Sequence, residues 1–384
     1  MDLLYDVSIC IPSRPSGTKW ANDSLGKEKG LIKVAALTGG YNIPSTRFRL
    51  RQYITPLYEH DIKVIEYCPF NSLQVRLPGP LSKIRRRYMP PVVAAELVLN
   101  TFARMPGVWG TYKADLTWIE RKFLPGFETL CRTTRSPRVL DVDDAVWMSY
   151  LMGEKSVIAL TKNVDAVIAG NKYLAEWFSK YCKEVYVIPT AIDCERYKPK
   201  DRECSTHHQK QFVIGWTGTS VNFRYLKLIE KSLARFMKDY PDAKLLVIAD
   251  EKPTLRLIPE ENISFAPWNP EIEASILSQM DVGVMPLSDD NWTRGKCSFK
   301  MLQYMAATVP VIVSPVGMNN DILKMGFIGY SANSDSEWYE ALESMYSNHK
   351  MRRQMGLNGR AVVEKKYSRP IISAQIADVI KNMI

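Results

Sequence analysis

NWTRGKCSFKMLQYMAATVPVIVSPVGMN, residues 291–319, reads as a basic loop, a helix, a buried strand and a glycine turn, in that order. Arg294, Gly295 and Lys296 precede Cys297 and Ser298, and from Phe299 onward Met301, Leu302, Met305 and Ala306 recur at helical spacing. Pro310 to Val313 is a short apolar run of the kind buried on both faces of a parallel sheet. A loop that turns into a helix leaves backbone N–H groups unpaired at the positive end of the helix dipole, so an anion is favoured there. With Arg294, Lys296 and Lys300 beside it, the loop is a candidate phosphate site.

On either side of this stretch, apolar strand-like runs alternate with segments of helical spacing, the pattern of an α/β chain with parallel sheets. Leu31 to Leu37, Ile62 to Glu66, Leu116 to Glu120, Val139 to Val142, Ala166 to Ala169 and Val185 to Ile188 are predicted strands of a first domain. Phe212 to Gly215, Ala243 to Ala249, Ile263 to Phe265, Val282 to Met285 and Val309 to Val313 are those of a second. Helical spacing follows the first strand over Ser45 to Tyr58. The reading is two doubly wound, Rossmann-like domains, residues 31–190 and 211–365, joined by a polar, proline-bearing linker at 191–210. Residues 366–384 are predicted to form an amphipathic terminal helix, and residues 1–30 fit neither domain and read as an irregular extension of unassigned role.

Composition supports this frame. At 384 residues the chain exceeds the size at which a single core keeps growing. Hydrophobic residues at 46% and charged residues at 24% describe a globular chain, not a disordered one. The longest apolar stretch, Pro90 to Phe102, is broken by Glu96 and Asn100, too short and too polar to cross a bilayer, and no secretory signal is evident at the N-terminus. The 7 cysteines form no Cys-x-x-Cys pair and fit reduced cytosolic thiols better than a disulfide framework or a zinc site. The net charge of +10 lies almost wholly in the first 200 residues, where 29 Lys and Arg face 20 Asp and Glu. Lys83 to Arg87 is the densest basic run, just before the apolar segment. Such a run suits an anionic membrane surface, the plainer reading being a solvated face. A nucleic-acid partner is disfavoured, because aromatic platforms among the basic runs are sparse and no recognised module appears.

Ligands of doubly wound sheets lie beyond the carboxyl ends of the strands. GWTGTS, residues 215–220, follows a predicted strand and precedes a helix, so Gly218 admits close backbone approach while Thr219 and Ser220 offer hydroxyls to a phosphate. Two phosphate-type turns at one sheet edge, this one and 294–298, point to a diphosphate.

From Phe212 onward these features, in this order, resemble the nucleotide-binding half of a GT-B glycosyltransferase, of the retaining family 4 type (glycosyl transferases group 1). The resemblance rests on the strand and glycine turn at 212–220, Asp281-Val-Gly-Val-Met-Pro286-Leu287, the helix from Lys300 to Ala306, Val309 to Ser314, and Gly317. Val164 to Asn171 and Ile188 to Asp193 are similar to segments that the family places just before its hinge. It implies metal-independent, retaining transfer of a sugar from a nucleotide diphosphate sugar, UDP-sugar favoured, to a hydroxyl of a glycan or lipid-linked acceptor. Surface polysaccharide or glycolipid synthesis is the implied setting, with a cytoplasmic enzyme peripheral to the inner face of the membrane and a terminal helix crossing back to the first domain. No cofactor beyond the nucleotide-sugar co-substrate is implied. The chain departs from the family where two glutamates separated by seven residues are usual, since Gly295 and Gln303 stand at those positions. Gln303 can still bond a ribose hydroxyl, but it is neutral and its amide also donates.

The expected roles follow. Arg294, Lys296 and Lys300 neutralise the diphosphate, and Asp143 is a carboxylate facing the sugar or acceptor. Gly218, Thr219, Ser220, Cys297, Ser298 and Phe299 meet the donor through backbone and hydroxyl groups, Trp268 lies near the base, and Gln303 takes the ribose. Gly39, Gly40, Arg47 and Asp144 are the acceptor side. Plainer readings stand beside these: Lys300 solvating a helix face, Trp268 as core or cleft wall, Cys297 as a bystander, and Asp143 or Asp144 as a helix cap. Asp141 and Asp143 also have the spacing of a divalent-metal site of the unrelated GT-A kind. The missing glutamates leave open a non-catalytic or regulatory relative that binds a nucleotide or glycan.

Overall fold

In a computed structural model, the strands Ile32–Leu37 (β1), Ile62–Tyr67 (β2), Leu116–Glu120 (β3), Arg138–Val142 (β4), Ala166–Ala169 (β5) and Glu184–Val187 (β6) pair in parallel as one sheet, ordered β2-β1-β3-β4-β5-β6. A second parallel sheet contains Phe212–Thr217 (β7), Ala243–Ala249 (β8), Ile263–Pro267 (β9), Val282–Met285 (β10), Val311–Val313 (β11) and Gly329–Ser331 (β12), ordered β12-β11-β10-β7-β8-β9. The structure describes residues 30–39, 44–68, 90–123, 128–148, 153–197 and 211–384, without the side chains of 44 and 90–100. The extension 1–29, Gly40, the basic run Lys83 to Arg87 and linker residues 198–210 lie outside the described residues.

The central strands are buried from end to end, as β3, β5 and β10 show, which is why they read as continuous apolar runs and not as alternating ones. The edge strands β6, β9 and β12 are only partly covered. The strand order reverses between β1 and β3 in the first sheet and between β7 and β10 in the second, and these switch points open crevices at the carboxyl ends of the strands. The turns after β7 and β10 therefore border one crevice, and the turns after β1, β3 and β4 border the other.

Residues 32–384 form one compact unit. One core cluster unites Leu37, Ile119 and Val142 of the first sheet with Met285, Met301 and Tyr304 of the second domain. The C-terminal helix Arg369–Asn382 buries Ile372, Ile376, Ala377 and Ile380 against Val34, Leu50, Tyr53 and Trp118 of the first domain. Its start is fixed by an isolated bridge between Ile192 and Ser368 and by Arg369, whose Nη1 lies 2.9 Å from Asp193. Among the described residues no helix is long and apolar enough to cross a membrane.

Candidate functional site: the crevice of the second sheet and the wall that faces it

The turn after β7 and the helix Phe299–Ala306 build one end of the crevice, the candidate anion site. Tyr304 ties them together, its hydroxyl accepting from the Thr217 N–H at 2.9 Å. Ser298 starts the helix in the left-handed region (φ 51°) and places no side chain on its first N–H groups, so those donors remain open to a ligand. Lys300 follows two residues later and lays its ammonium 4.3 Å from the centre of the Trp216 ring. A Cβ at Gly218 would collide with that ammonium and with Trp216 Cη2, so glycine at this turn leaves the space that Lys300 occupies. No carboxylate among the described residues pairs with Lys300. Burial, and then the neighbouring Lys296 ammonium, push its amine down to about 7. An arriving anion would supply the missing counter-charge.

Around Gln303 and Trp268 lies a closed polar network whose other members, Glu273 and Tyr197, the sequence did not single out. Glu273, on the helix Glu273–Leu277, accepts at Oε1 from Trp268 Nε1 (3.0 Å) and from Gln303 Nε2 (3.0 Å). The same Gln303 nitrogen donates to the Tyr197 hydroxyl at 2.8 Å, and that hydroxyl in turn faces Glu273 Oε2 at 3.4 Å. Glu273, Gln303 and Tyr197 are all buried, while Trp268 remains 42% exposed, so only the indole offers a broad face to a ligand. Burial, and then the Glu273 charge, hold the Tyr197 phenol well above its usual range, so it stays a neutral hydroxyl.

The opposing wall comes from the first domain. Arg121, itself at φ 60°, reaches Asp143 at 3.0 Å through Nε and pairs with Asp144 through Nη2. Burial, and then the Asp143 charge, raise the Asp144 carboxyl against the pull of Arg121. Both carboxylates of the cluster thus have a protein cation beside them. The walls touch: the Cys297 thiol donates to the Asp143 carbonyl at 3.0 Å, and Asn171 Nδ2 donates to the carbonyls of Gly295 and Lys296, each at 3.1 Å. Asn171 also caps the helix Lys172–Phe178 through Oδ1, so one side chain starts that helix and holds the basic loop. Gly170 lies against the Cys297 sulfur and Gly295 against Ala145, where a Cβ would leave no room for this approach. Phe48 and Phe299 meet across the wall at 4.2 Å between ring centres.

The predicted residues fall into distinct groups. Lys296, Lys300, Gly218, Cys297, Ser298, Phe299, Gln303 and Trp268 line or support the crevice described above, with Asp143 and Asp144 opposite. Arg294 does not share this placement: it is exposed, and its Nε and Nη2 bond Asp289 at 2.7 and 3.1 Å. Ser220 gives its N–H (2.6 Å) and its hydroxyl (2.8 Å) to Asp250, so the donors that the sequence reading offers to a phosphate are already held by a carboxylate. Thr219 is exposed and accepts from Asn222 at 2.9 Å. Arg47 lies beside Glu273 and Tyr197, with burial and then Arg196 lowering its pKa while Glu273 opposes them, which sets it beside the Gln303 network and not with the remaining acceptor candidates. The Gly39 N–H points to Glu120 Oε2 at 3.4 Å, and the buried Glu120 also holds Ser45 (2.7 Å) and Thr46 (2.5 Å). Gly40 is outside the described residues. Glu120, Arg121, Asn171, Tyr197 and Glu273 were not singled out from the sequence. For Asn171 a signal existed, because it ends the Val164 to Asn171 segment; for Glu273 none did, since its partners lie 5, 30 and 76 residues away.

Residues 211–348 match the family described as glycosyl transferases group 1. The match lies within the C-terminal domain, which is thus similar to that of group 1 glycosyltransferases. The sucrose-phosphate synthase of Thermosynechococcus elongatus superposes with a TM-score of 0.67 at 16% identity, covering 91% of this chain and 98% of that one. HepE of Anabaena, solved in complex with UDP, gives 0.66 at 14% identity over 92% and 100% of the two chains. WaaG, a glycosyltransferase involved in lipopolysaccharide biosynthesis, gives 0.60 at 14% identity over 90% and 99%. At these identities the likeness is one of fold, and that fold is GT-B. No curated protein matches the chain in sequence.

Proposed function

We propose that this glycosyltransferase moves a sugar from a UDP-sugar to a hydroxyl of a glycan or lipid-linked acceptor, with retention of configuration and without a metal ion. The observation that carries the reading is Lys300, a half-buried ammonium without a carboxylate partner at an uncapped helix start, facing the glycine turn of the switch point. As the glycosidic bond breaks, negative charge grows on the diphosphate. The Lys300 and Lys296 ammoniums and the first N–H groups of the helix Phe299–Ala306 are already placed to stabilise it. In a front-face exchange that same phosphate helps to accept the acceptor's proton. Asp143 and Asp144, oriented by Arg121, then face the sugar and acceptor. HepE complexes with UDP and with UDP-glucose, on the same fold, favour uridine as the base.

Thermal unfolding with UDP, GDP and ADP, each with and without EDTA, tests this. A ligand that binds only the folded state at a hundred times its Kd adds about 2.7 kcal/mol. A rise in Tm with UDP alone, unchanged by EDTA, is the expected result; a rise abolished by EDTA would refute the metal-free reading, and no rise with any nucleotide would leave the non-catalytic reading.

We also propose that the first domain rests on an anionic membrane surface. The helix Pro90–Thr111 buries Arg104, Val108 and Thr111, yet Phe102 and Trp109 remain 69% and 67% exposed, with Met105 and Tyr112 on the same outer stripe. Exposed Lys113, Arg132 and Arg135 lie around Tyr112, whose hydroxyl bonds the Thr133 carbonyl. Aromatic side chains beside basic ones suit a bilayer interface. Co-sedimentation with phosphatidylglycerol vesicles but not phosphatidylcholine vesicles, lost in Phe102→Ser with Trp109→Ser, is expected; equal recovery with both lipids refutes it.

A further inference from the structure

We propose that Glu273, together with Tyr197, is a positioning residue that fixes the Gln303 amide with its carbonyl outermost, so that the site reads a ribose hydroxyl and prefers ribonucleoside to deoxyribonucleoside diphosphates. This rests on the nucleotide-donor reading above. A glutamine at this place is ambiguous, because its amide can turn to present either oxygen or nitrogen. Glu273 removes the ambiguity. An ionised carboxylate only accepts, so the Gln303 nitrogen must face it, as it does at 3.0 Å. The second proton of that nitrogen goes to Tyr197 at 2.8 Å, a hydroxyl that spends its own proton on the other oxygen of Glu273. Both donors of Gln303 are thereby used, and among the described residues nothing donates to its carbonyl oxygen. The amide can only accept from a ligand, as a carboxylate would.

The same network accounts for the absence of a glutamate at position 303. A carboxylate there would stand about 3 Å from Glu273, taking the amide spacing as a guide, and two like charges that close in a buried site cannot both remain ionised. Glutamine beside glutamate is thus an alternative to glutamate alone, with the charge moved from the helix Phe299–Ala306 to the helix Glu273–Leu277. Glu273 also accepts from the Trp268 indole, so the hydroxyl acceptor and the exposed aromatic face are held by one carboxylate.

The experiment is calorimetric titration of UDP, 2′-deoxy-UDP and 3′-deoxy-UDP into the full chain and into Glu273→Gln, Gln303→Glu and the double variant, with unfolding followed for each. The native protein should prefer UDP over at least one deoxy analogue by about tenfold, the worth of one hydrogen bond. Glu273→Gln should erase that preference by freeing the amide to turn. Gln303→Glu should weaken UDP about tenfold through the carboxylate clash, and the double variant should recover affinity and preference, because exchanging the pair restores one charge and one amide. Rescue by exchange is a response that general damage to the fold would not give. UDP binding with no hydroxyl preference in the native protein, an undiminished preference in Glu273→Gln, or Gln303→Glu binding as well as the native protein would each overturn the inference while leaving the donor reading intact. Failure of every nucleoside diphosphate to bind the native protein would remove both.

Discussion

The pH dependence of donor binding is the sharpest consequence of the way Lys300 is held. Its amine stands at about 7, lowered by burial and then by Lys296. A diphosphate favours the protonated form, so the pKa rises in the complex and binding takes up a proton. Affinity should be flat below about pH 7 and should fall as the pH rises from there toward the pKa of the complex. With a free amine near 7, about nine tenths of the molecules carry the proton at pH 6 and about one tenth at pH 8, a difference of about tenfold in affinity or about 1.4 kcal/mol. UDP-glucose is the suitable ligand, because its diphosphate is esterified at both ends and does not titrate in this range. Calorimetry at pH 6, 7 and 8, in two buffers of different ionisation heat, gives both the affinity and the protons taken up. Lys300→Arg keeps its charge throughout and should abolish the slope. Affinity that is constant or rises from pH 6 to pH 8, or a slope that survives in Lys300→Arg, would refute the assignment of Lys300 to the diphosphate.

Two stability predictions follow from other features. Thr308 is a β-branched residue at φ 59°, a conformation that costs about 1–2 kcal/mol, so Thr308→Gly should raise the free energy of unfolding by up to about 1.5 kcal/mol after about 0.5–1 kcal/mol is lost to glycine's freedom in the unfolded chain; a lower urea midpoint would refute it. Arg49 Nε lies 2.7 Å from Asp141 with both side chains buried, and burial already raises the Asp141 carboxyl to about 6 against the pull of Arg49. Arg49→Met should therefore cost about 3–5 kcal/mol in equilibrium unfolding by stranding that carboxyl, and a loss below about 1 kcal/mol would show the pair to be dispensable.

The parallel sheets were legible because a strand buried on both faces has to be an apolar run, and the runs at 116–120, 166–169 and 282–285 carry that signature without help from their neighbours. The strand Gly329–Ser331 was missed because its three residues, a glycine, a tyrosine and a serine, have no pattern until pairing with β11 supplies one. The helix expected over Ser45 to Tyr58 is broken instead into Pro44–Arg49, a 3-10 turn at Arg51–Tyr53 and Ile54–Glu59, because Arg49 is drawn into the sheet by Asp141 and Arg51 is drawn out to Glu66 at 2.7 Å.

For the site, the division follows the range of the forces involved. Local sequence determined the uncapped helix start after Cys297 and Ser298, the glycine turn at 218 and the supply of cations, since each depends on residues a few positions apart. Which cation stays available is decided by the fold: Arg294 finds Asp289 only five residues back and pairs with it at the surface, while Lys300 is enclosed beside Trp216, far away in the chain, without a carboxylate, and becomes the half-buried charge that an anion would complete. The same is true of Gln303. Its side chain is neutral in the sequence, and only the fold, by bringing Glu273 and Tyr197 to its amide, decides that it will accept and not donate.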